Sequence, residues 1–329
     1  MRDEGGERDA ALAAALAGRL RAIGLARVAD DLLALAQPAI HLDLRRVDDE
    51  ATLPLGGSKV GGAPDLPADV GWPATGDGQP LPFIAQMRLA EIAALDPEGD
   101  LPHDGLLSFF YAINDAQGSL RIADDASAWR VLWTRDDAAP LDRRPTPAAL
   151  VAAPDGHFPA CAVSFARRLT LPDVYDAALE RISFTNDERL GYIRVVGGED
   201  VGYHQEMDCR LLGYPYELEP GTFVAAYMAA HGIEPPRVDL SRAGRLGPLD
   251  IARGLWRTIH PDPAALEAQR RRREMERLAA DEWRLLVQIY SNDEAGMDWA
   301  GGGVIHFGVQ RAALAARDFS RVWVSLQFL

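Results

Sequence analysis

The chain has 329 residues, enough for one large domain or two ordinary ones, and its 48% apolar content supports a packed core and excludes general disorder. A formal net charge of −15 argues against nucleic acid or an anionic membrane as the main partner, because both call for concentrated positive charge. Two cysteines, Cys161 and Cys209, are too few for a disulfide framework or a four-cysteine zinc site, so they read as buried reduced thiols, and no metal or cofactor is expected.

The opening stretch from Met1 to Arg8 is charged and lacks the apolar centre of a signal peptide, and no later apolar run reaches bilayer-spanning length. A cytoplasmic protein is expected. Residues 9 to 37 read as helix: Asp9 is a cap, Leu12, Leu16, Leu20, Ile23, Val28, Leu32 and Leu35 recur at helical spacing, Gly18 and Gly24 split the run, and Pro38 stops it. Residues 1–50 are therefore assigned to an N-terminal helical arm.

Lys59 follows, the only lysine of the chain, inside the glycine-rich segment Gly56-Gly57-Ser58-Lys59-Val60-Gly61-Gly62-Ala63-Pro64. Lysine is a compact point charge and arginine a planar fork, so the two are not interchangeable in a close-fitting site. Glycines at 61 and 62 allow positive φ and bring backbone N–H groups near an anion. Ser58 beside Lys59 lacks the spacing of a nucleophile and its base, and the glycine-lysine order of a phosphate-binding loop is absent.

The middle of the chain reads as β, in short apolar runs such as Leu81 to Met87, Gly105 to Tyr111 and Leu285 to Tyr290. His204, Glu206 and Asp208 alternate and would share one face of a strand, a pattern suited to acid and base work or to a metal, although no zinc-deaminase cysteine motif follows them. A helix opens at Asp262-Pro263; its arginine run pairs within itself through Glu267 and Arg271, Arg270 and Glu274, and Arg272 and Glu276, which gives a solvated face rather than a nucleic-acid site. Trp299, ahead of Ala300 and three glycines, is placed to overhang a mobile loop at a cleft mouth.

Three elements recur in order. The Gly61-Gly62-Ala63-Pro64 turn, the Gln86 strand and the Gly105 to Phe110 strand are echoed by Leu212-Gly213-Tyr214-Pro215, the Gln288 strand and the Gly303 to Gly308 strand. The expected fold class is α+β, with duplicated β-rich units (about 51–150 and 195–329) in a 51–329 domain, mainly antiparallel sheets, and the arginine-rich helix inserted in the second unit.

These residues resemble the YwqG-like family, a domain of unknown function (DUF1963). The resemblance runs over roughly residues 52 to 329 and rests on Ser58 to Pro67, Trp72-Pro73, Pro82 to Met87, Gly105 to Phe110, Leu211 to Pro215, Leu286 to Ile289 and Asp318 to Trp323. It implies a bacterial α+β protein of duplicated architecture and no known reaction. The chain departs from the family pattern at Cys209-Arg210, where a histidine with a basic neighbour is usual, and at Trp299-Ala300-Gly301, where Trp-Gly-Asp is usual.

The function expected from these readings is binding or interaction, with a cleft between the two units lined by Lys59, Gly61, Gly62, Gln86, Gln288 and Trp299. A small anionic ligand suits the cleft, and the acidic exterior suits a basic protein partner, as in immunity-type proteins. The alternative is a hydrolase or transferase that uses Lys59 with His204, Glu206 or Asp208.

Overall fold

The computed structural model describes residues 4–96, 98–114, 126–174, 176–196, 208–233 and 263–328. The described residues form twelve strands: β1 (Gln37–Arg46), β2 (Lys59–Val60), β3 (Asp65–Pro67), β4 (Phe83–Arg88), β5 (Leu106–Tyr111), β6 (Trp129–Thr134), β7 (Leu141–Arg143), β8 (Cys161–Thr170), β9 (Cys209–Leu212), β10 (Trp283–Tyr290), β11 (Val304–Gln310) and β12 (Val322–Gln327). Ten of them make one sheet in the order β12-β11-β10-β9-β1-β8-β2-β4-β5-β6, while β3 and β7 pair separately. Every pairing is antiparallel, and with the flanking helices this is an α+β fold.

The sheet curls into a nearly closed barrel whose two end strands meet through side chains. The Trp129 indole N–H donates to the Val322 carbonyl at 2.8 Å, and the rings of Trp129 and Trp323 stand edge to face 5.3 Å apart. Phe109 and Phe307 meet inside at 5.2 Å, in the main core with Val60, Met87, Leu211 and Ile289. Successive strand residues point to opposite faces. Val60 and Ala85 belong to that core, so Lys59 and Gln86 lie on the other face of the sheet, under the loops.

Register fixes the rest. Lys59 stands opposite Gln86 and Gln86 opposite Ser108, with a bulge between Phe83 and Ala85. Arg210 stands opposite Gln288 and Gln288 opposite His306, with a bulge between Leu285 and Val287. The run β8-β2-β4-β5-β6 thus has the same succession of pairings as β1-β9-β10-β11-β12, and the two runs join where β1 pairs with β8.

The N-terminal helix spans Glu4–Ala22 and passes through Gly18 without a break. It ends at Gly24, at φ 88°, where Leu25 N–H reaches the Leu20 carbonyl at 2.8 Å and Gly24 N–H reaches that of Arg21 at 3.2 Å, the paired bonds of a Schellman stop. Leu16, Leu20, Leu25 and Leu32 bury against Leu171, Tyr192 and Val195, so this helix is docked on the barrel. The segment read as arm also contributes a barrel strand: β1, which starts at Gln37 and runs through Pro38, lies at the middle of the sheet. Its pattern of one apolar residue in two is short and interrupted by charge, which hid it from a periodicity reading. The arginine-rich helix runs Pro263–Glu282, between β9 and β10 in sequence, with Arg271 to Glu267 at 3.0 Å and Arg272 to Glu276 at 2.9 Å. Glu274 pairs with Arg277 at 2.9 Å rather than with Arg270. No helix among the described residues is long and apolar enough to cross a membrane.

Candidate functional site

Lys59 is buried, 1% exposed, and its ammonium sits 2.9 Å from Glu50 Oε1 and 3.4 Å from Asp65 Oδ1. Arg143 Nε reaches Asp65 Oδ1 at 2.9 Å. Gln86 Nε2 donates to Asp65 Oδ2 and to the Gly57 carbonyl, both at 2.8 Å, while Gln86 Oε1 accepts from Asp65 N–H at 2.9 Å. Burial pushes the Asp65 carboxyl up, but the hydrogen bonds from Arg143, the Gly56 N–H and Gln86, with the charge of Lys59, outweigh it and hold its pKa below the usual carboxylate value. Lys59, Gly61, Gly62 and Gln86 are thus brought together around a network of ion pairs and hydrogen bonds. The two glycines serve packing: at φ 68° and 74°, a Cβ would stand 2.1 Å from the Pro159 carbonyl at Gly61 and 2.3 Å from Glu50 Oε1 at Gly62.

A second network holds Gln288. Its Oε1 accepts from Tyr216 N–H at 3.0 Å and its Nε2 donates to the Asp208 carbonyl at 3.0 Å. Asp208 also receives Arg210 at 2.5 Å and faces His41 Nδ1 at 3.0 Å, and Arg210 donates to the Tyr214 carbonyl at 2.8 Å. His306, fully buried, holds the Tyr216 carbonyl at 2.7 Å; desolvation drops its pKa to about 3, which keeps the ring neutral. The histidine beside Arg210 therefore comes from the neighbouring strand, at His41, and not from Cys209's position. His204 and Glu206 lie outside the described residues. Asp208 and Lys59 are each engaged with other partners, and β9 is three strand spacings, roughly 14 Å, from β2.

Trp299 differs from the exposed ring expected at a cleft mouth. It is 1% exposed and packs on Phe158 at 5.7 Å in the main core, because the hydrogen bonds Gly303 N–H to Trp299 carbonyl at 2.8 Å and Trp299 N–H to Ser291 Oγ at 2.9 Å fold the loop inward. Desolvation pushes the buried Cys161 thiol up to about 11, so it is not a thiolate at neutral pH.

A concave site lies elsewhere, in the loop after β9. A small cleft of about 70 Å³ is walled by Tyr214, Glu217, Thr222 and Phe223 of that loop, Asp176 after β8, Glu276 and Ala279 of the helix Pro263–Glu282, Trp283 and Arg284 of β10, and Arg311. Thr222 N–H donates to Glu217 Oε1 at 2.8 Å. Burial first, then the charges of Asp173 and Asp176, push Glu217 up to about 7 against the bonds from Thr222. Burial likewise raises Asp176, and Tyr214 donates its hydroxyl to the Leu35 carbonyl at 3.0 Å. The cations at the rim have partners outside the cleft: Arg284 meets Asp100 at 2.7 Å, and Arg311 donates to the Asp281 carbonyl at 3.0 Å. Glu217, its pKa pushed up by burial, thus lines a cleft whose walls include the rings of Tyr214, Phe223 and Trp283.

Glu217, Asp176, Trp283 and Arg311 escaped the sequence reading. The echo stopped at Pro215, and its extension by two residues sets Glu217 against Leu66, an acid against an apolar residue. No curated protein matches the chain. A family model described as domain of unknown function (DUF1963) matches residues 58–327, the span that holds β2 to β12 with Lys59, Gln86, Gln288 and Glu217, and the chain belongs to that family.

Proposed function

We propose that this chain is a binding protein built from two related β units, and that it recognises its partner in the cleft at Glu217. The duplication reading is supported by matched details. Gln86 and Gln288 occupy the same place in the pairing succession, each Oε1 accepts the N–H six residues beyond the paired cation, Lys59 or Arg210, and each Nε2 reaches the carbonyl two residues before it. Two consecutive residues at positive φ follow in both, Gly61-Gly62 and Leu212-Gly213. On this reading β8 completes the first unit and β1, from the start of the chain, completes the second.

The observation that carries the function is the Leu66 and Glu217 pair. Leu66 is fully buried with Leu81, Phe83 and Phe110 in a closed apolar cluster. At the corresponding place of the second unit Glu217 faces the cleft beside Phe223, Trp283 and Leu285. A carboxyl held in such surroundings costs stability where leucine would add it, and a position that lowers stability is a signature of recognition. Binding is thus assigned to the second unit and not to the junction of the two. The Lys59 network stabilises a loop, with its charges already neutralised by one another. The acid and base reading has less support, since Lys59 and Asp208 are spent on separate ion pairs.

A ligand panel with thermal shift as readout, run on the parent and on Glu217→Leu, tests this. Glu217→Leu is expected to melt higher than the parent and to lose every shift the parent displays. A variant that melts lower, or that keeps the parent's shifts, overturns the assignment.

A further inference from the structure

Of the two carboxylates around Lys59, one is locked and the other is held at its edge. The Asp65 carboxylate is fully buried and takes hydrogen bonds from the Gly56 N–H at 2.8 Å, Gln86 Nε2 at 2.8 Å and Arg143 Nε at 2.9 Å, with Lys59 Nζ at 3.4 Å. Glu50 uses one oxygen only. Its Oε1 accepts from Lys59 Nζ and from the Ala63 N–H, both at 2.9 Å, with Arg143 Nε at 3.8 Å. Its Oε2 has no hydrogen-bond partner among the described residues, and the side chain is 25% exposed. The main chain beneath it is fixed by other bonds: Arg143 Nη1 donates to the Glu50 carbonyl at 2.6 Å, Arg143 Nη2 to the Leu53 carbonyl at 3.1 Å, and the Ala51 N–H to Asp49 Oδ1 at 2.9 Å. The Glu50 carboxylate can therefore leave by rotation of its own side chain while the backbone stays in place.

The place it would vacate is shaped for a carboxylate. The Lys59 ammonium and the Ala63 N–H converge on it, and ionised oxygens take such donors strongly. Gly62 keeps it open: a Cβ there would stand 2.3 Å from Glu50 Oε1 and 2.6 Å from its Cδ. With Glu50 turned out, the two cations Lys59 and Arg143 face Asp65 alone, an excess of one positive charge. The walls, Lys59, Gly62, Ala63 and Arg143, lie within the family span 58–327, whereas Glu50 precedes it.

We propose that this place is a carboxylate-binding site and that Glu50 is its built-in occupant, an autoinhibitory contact displaced when a ligand's carboxylate takes the Lys59 ammonium and the Ala63 N–H. The site is separate from the cleft at Glu217 and does not rest on the binding assigned there. Stripping one partner from a buried ion pair is costly, but exchanging one carboxylate for another leaves Lys59 paired. Glu50 competes as a tethered group, at an effective concentration of about millimolar or above, so a lone small carboxylate binds the parent weakly.

Lys59 is the only lysine, so acylated lysine in the chain reports this site alone. The full chain is labelled at about pH 8 with an amine-reactive ester, with N-acetyl-lysine amide as the internal rate standard, and the modified peptide is quantified by mass spectrometry. Acetate supplies a free carboxylate and N-acetyl-glycylglycine a peptide end; chloride and sulfate at matched ionic strength report screening. In the parent, carboxylate is expected to slow the labelling of Lys59 saturably. Glu50→Ala is expected to label at least about tenfold faster than the parent and to be protected at about tenfold lower carboxylate concentration, with Glu50→Gln between the two. Protection by N-acetyl-glycylglycine at lower concentration than acetate assigns a peptide end, and the reverse a small free carboxylate. Labelling of Glu50→Ala no faster than the parent overturns the claim that Glu50 covers the site. Protection by carboxylates no better than by chloride or sulfate, in parent and variant alike, overturns the carboxylate assignment. Protection confined to Glu50→Ala overturns displacement and leaves Glu50 a permanent part of the fold. If Glu50→Ala does not fold, the parent and Glu50→Gln decide by the same criteria.

Discussion

The two glutamine networks solve one problem with different charges. Around Gln86, two cations, Lys59 and Arg143, face two carboxylates, Glu50 and Asp65, with Asp65 and Lys59 fully buried. Around Gln288, Arg210 faces Asp208, with His41 at its edge, and two of its nitrogens are spent on the Tyr214 carbonyl. The lysine reaches carboxylates supplied from before β2 and from β3, while the arginine fork reaches a carbonyl of the loop that follows its own strand. Beyond these networks the difference grows: the first loop runs on into the closed cluster of Leu66, and the second into the cleft of Glu217. Similar backbone pairing therefore supports either a sealed or an open loop, with Leu66 in the one and Glu217 in the other two places past the Gly-x-Pro turn.

The largest effect is expected at Asp65. Asp65→Ala strands Lys59 and Arg143 without their shared carboxylate, and loss of one partner from a buried pair costs about 3–5 kcal/mol, read as a lower denaturant midpoint. Wild-type stability in that variant breaks the claim that the Lys59 network holds the loop. Next comes Glu217→Leu, which at about pH 8 is expected to stabilise by roughly 1–3 kcal/mol. The sign follows from titration: the folded carboxyl lies at about 7, above its ordinary 4.5, so the folded state is favoured when it is protonated. The parent is therefore penalised most above pH 7, and the penalty fades as pH falls through 7 toward 4.5. Melting curves of parent and variant at several pH values should converge at the acid end, and a gap independent of pH would refute the assignment of the buried charge.

Comparable losses are expected from Gln86→Leu and Gln288→Leu. Each unpairs a loop N–H and a carbonyl, at about 1–3 kcal/mol, and similar values for the two sharpen the case for equivalent roles. A loss in one with none in the other separates them. The smallest effect belongs to the arginine-rich helix, where Arg272→Ala breaks an exposed pair with Glu276 and should change stability by no more than about 1 kcal/mol.

The strands around Gln86 and Gln288 were legible because continuous apolar runs bounded by glycine and proline are local signals, and so was the stop at Gly24. Lys59 is buried, and its carboxylate partners Glu50 and Asp65, with Arg143 that shares them, come from three segments that no local pattern links. Trp299 misled because a tryptophan before glycines resembles an exposed loop when the hydrogen bonds that fold it inward are not in view.

What the sequence by itself determined is the set of local elements: apolar runs bounded by glycine and proline set strands, glycine at positive φ sets turns, and i, i+4 charges set a solvated helix face. Only the tertiary structure decided that β1, from the first fifty residues, pairs with β8 and β9, that His41 stands beside Arg210, and that Glu217 shares a cleft with Asp176, Trp283 and Arg311. These are contacts between residues far apart in the chain, and their free energy comes from burial and charge pairing after the barrel closes, which no window of neighbouring residues encodes.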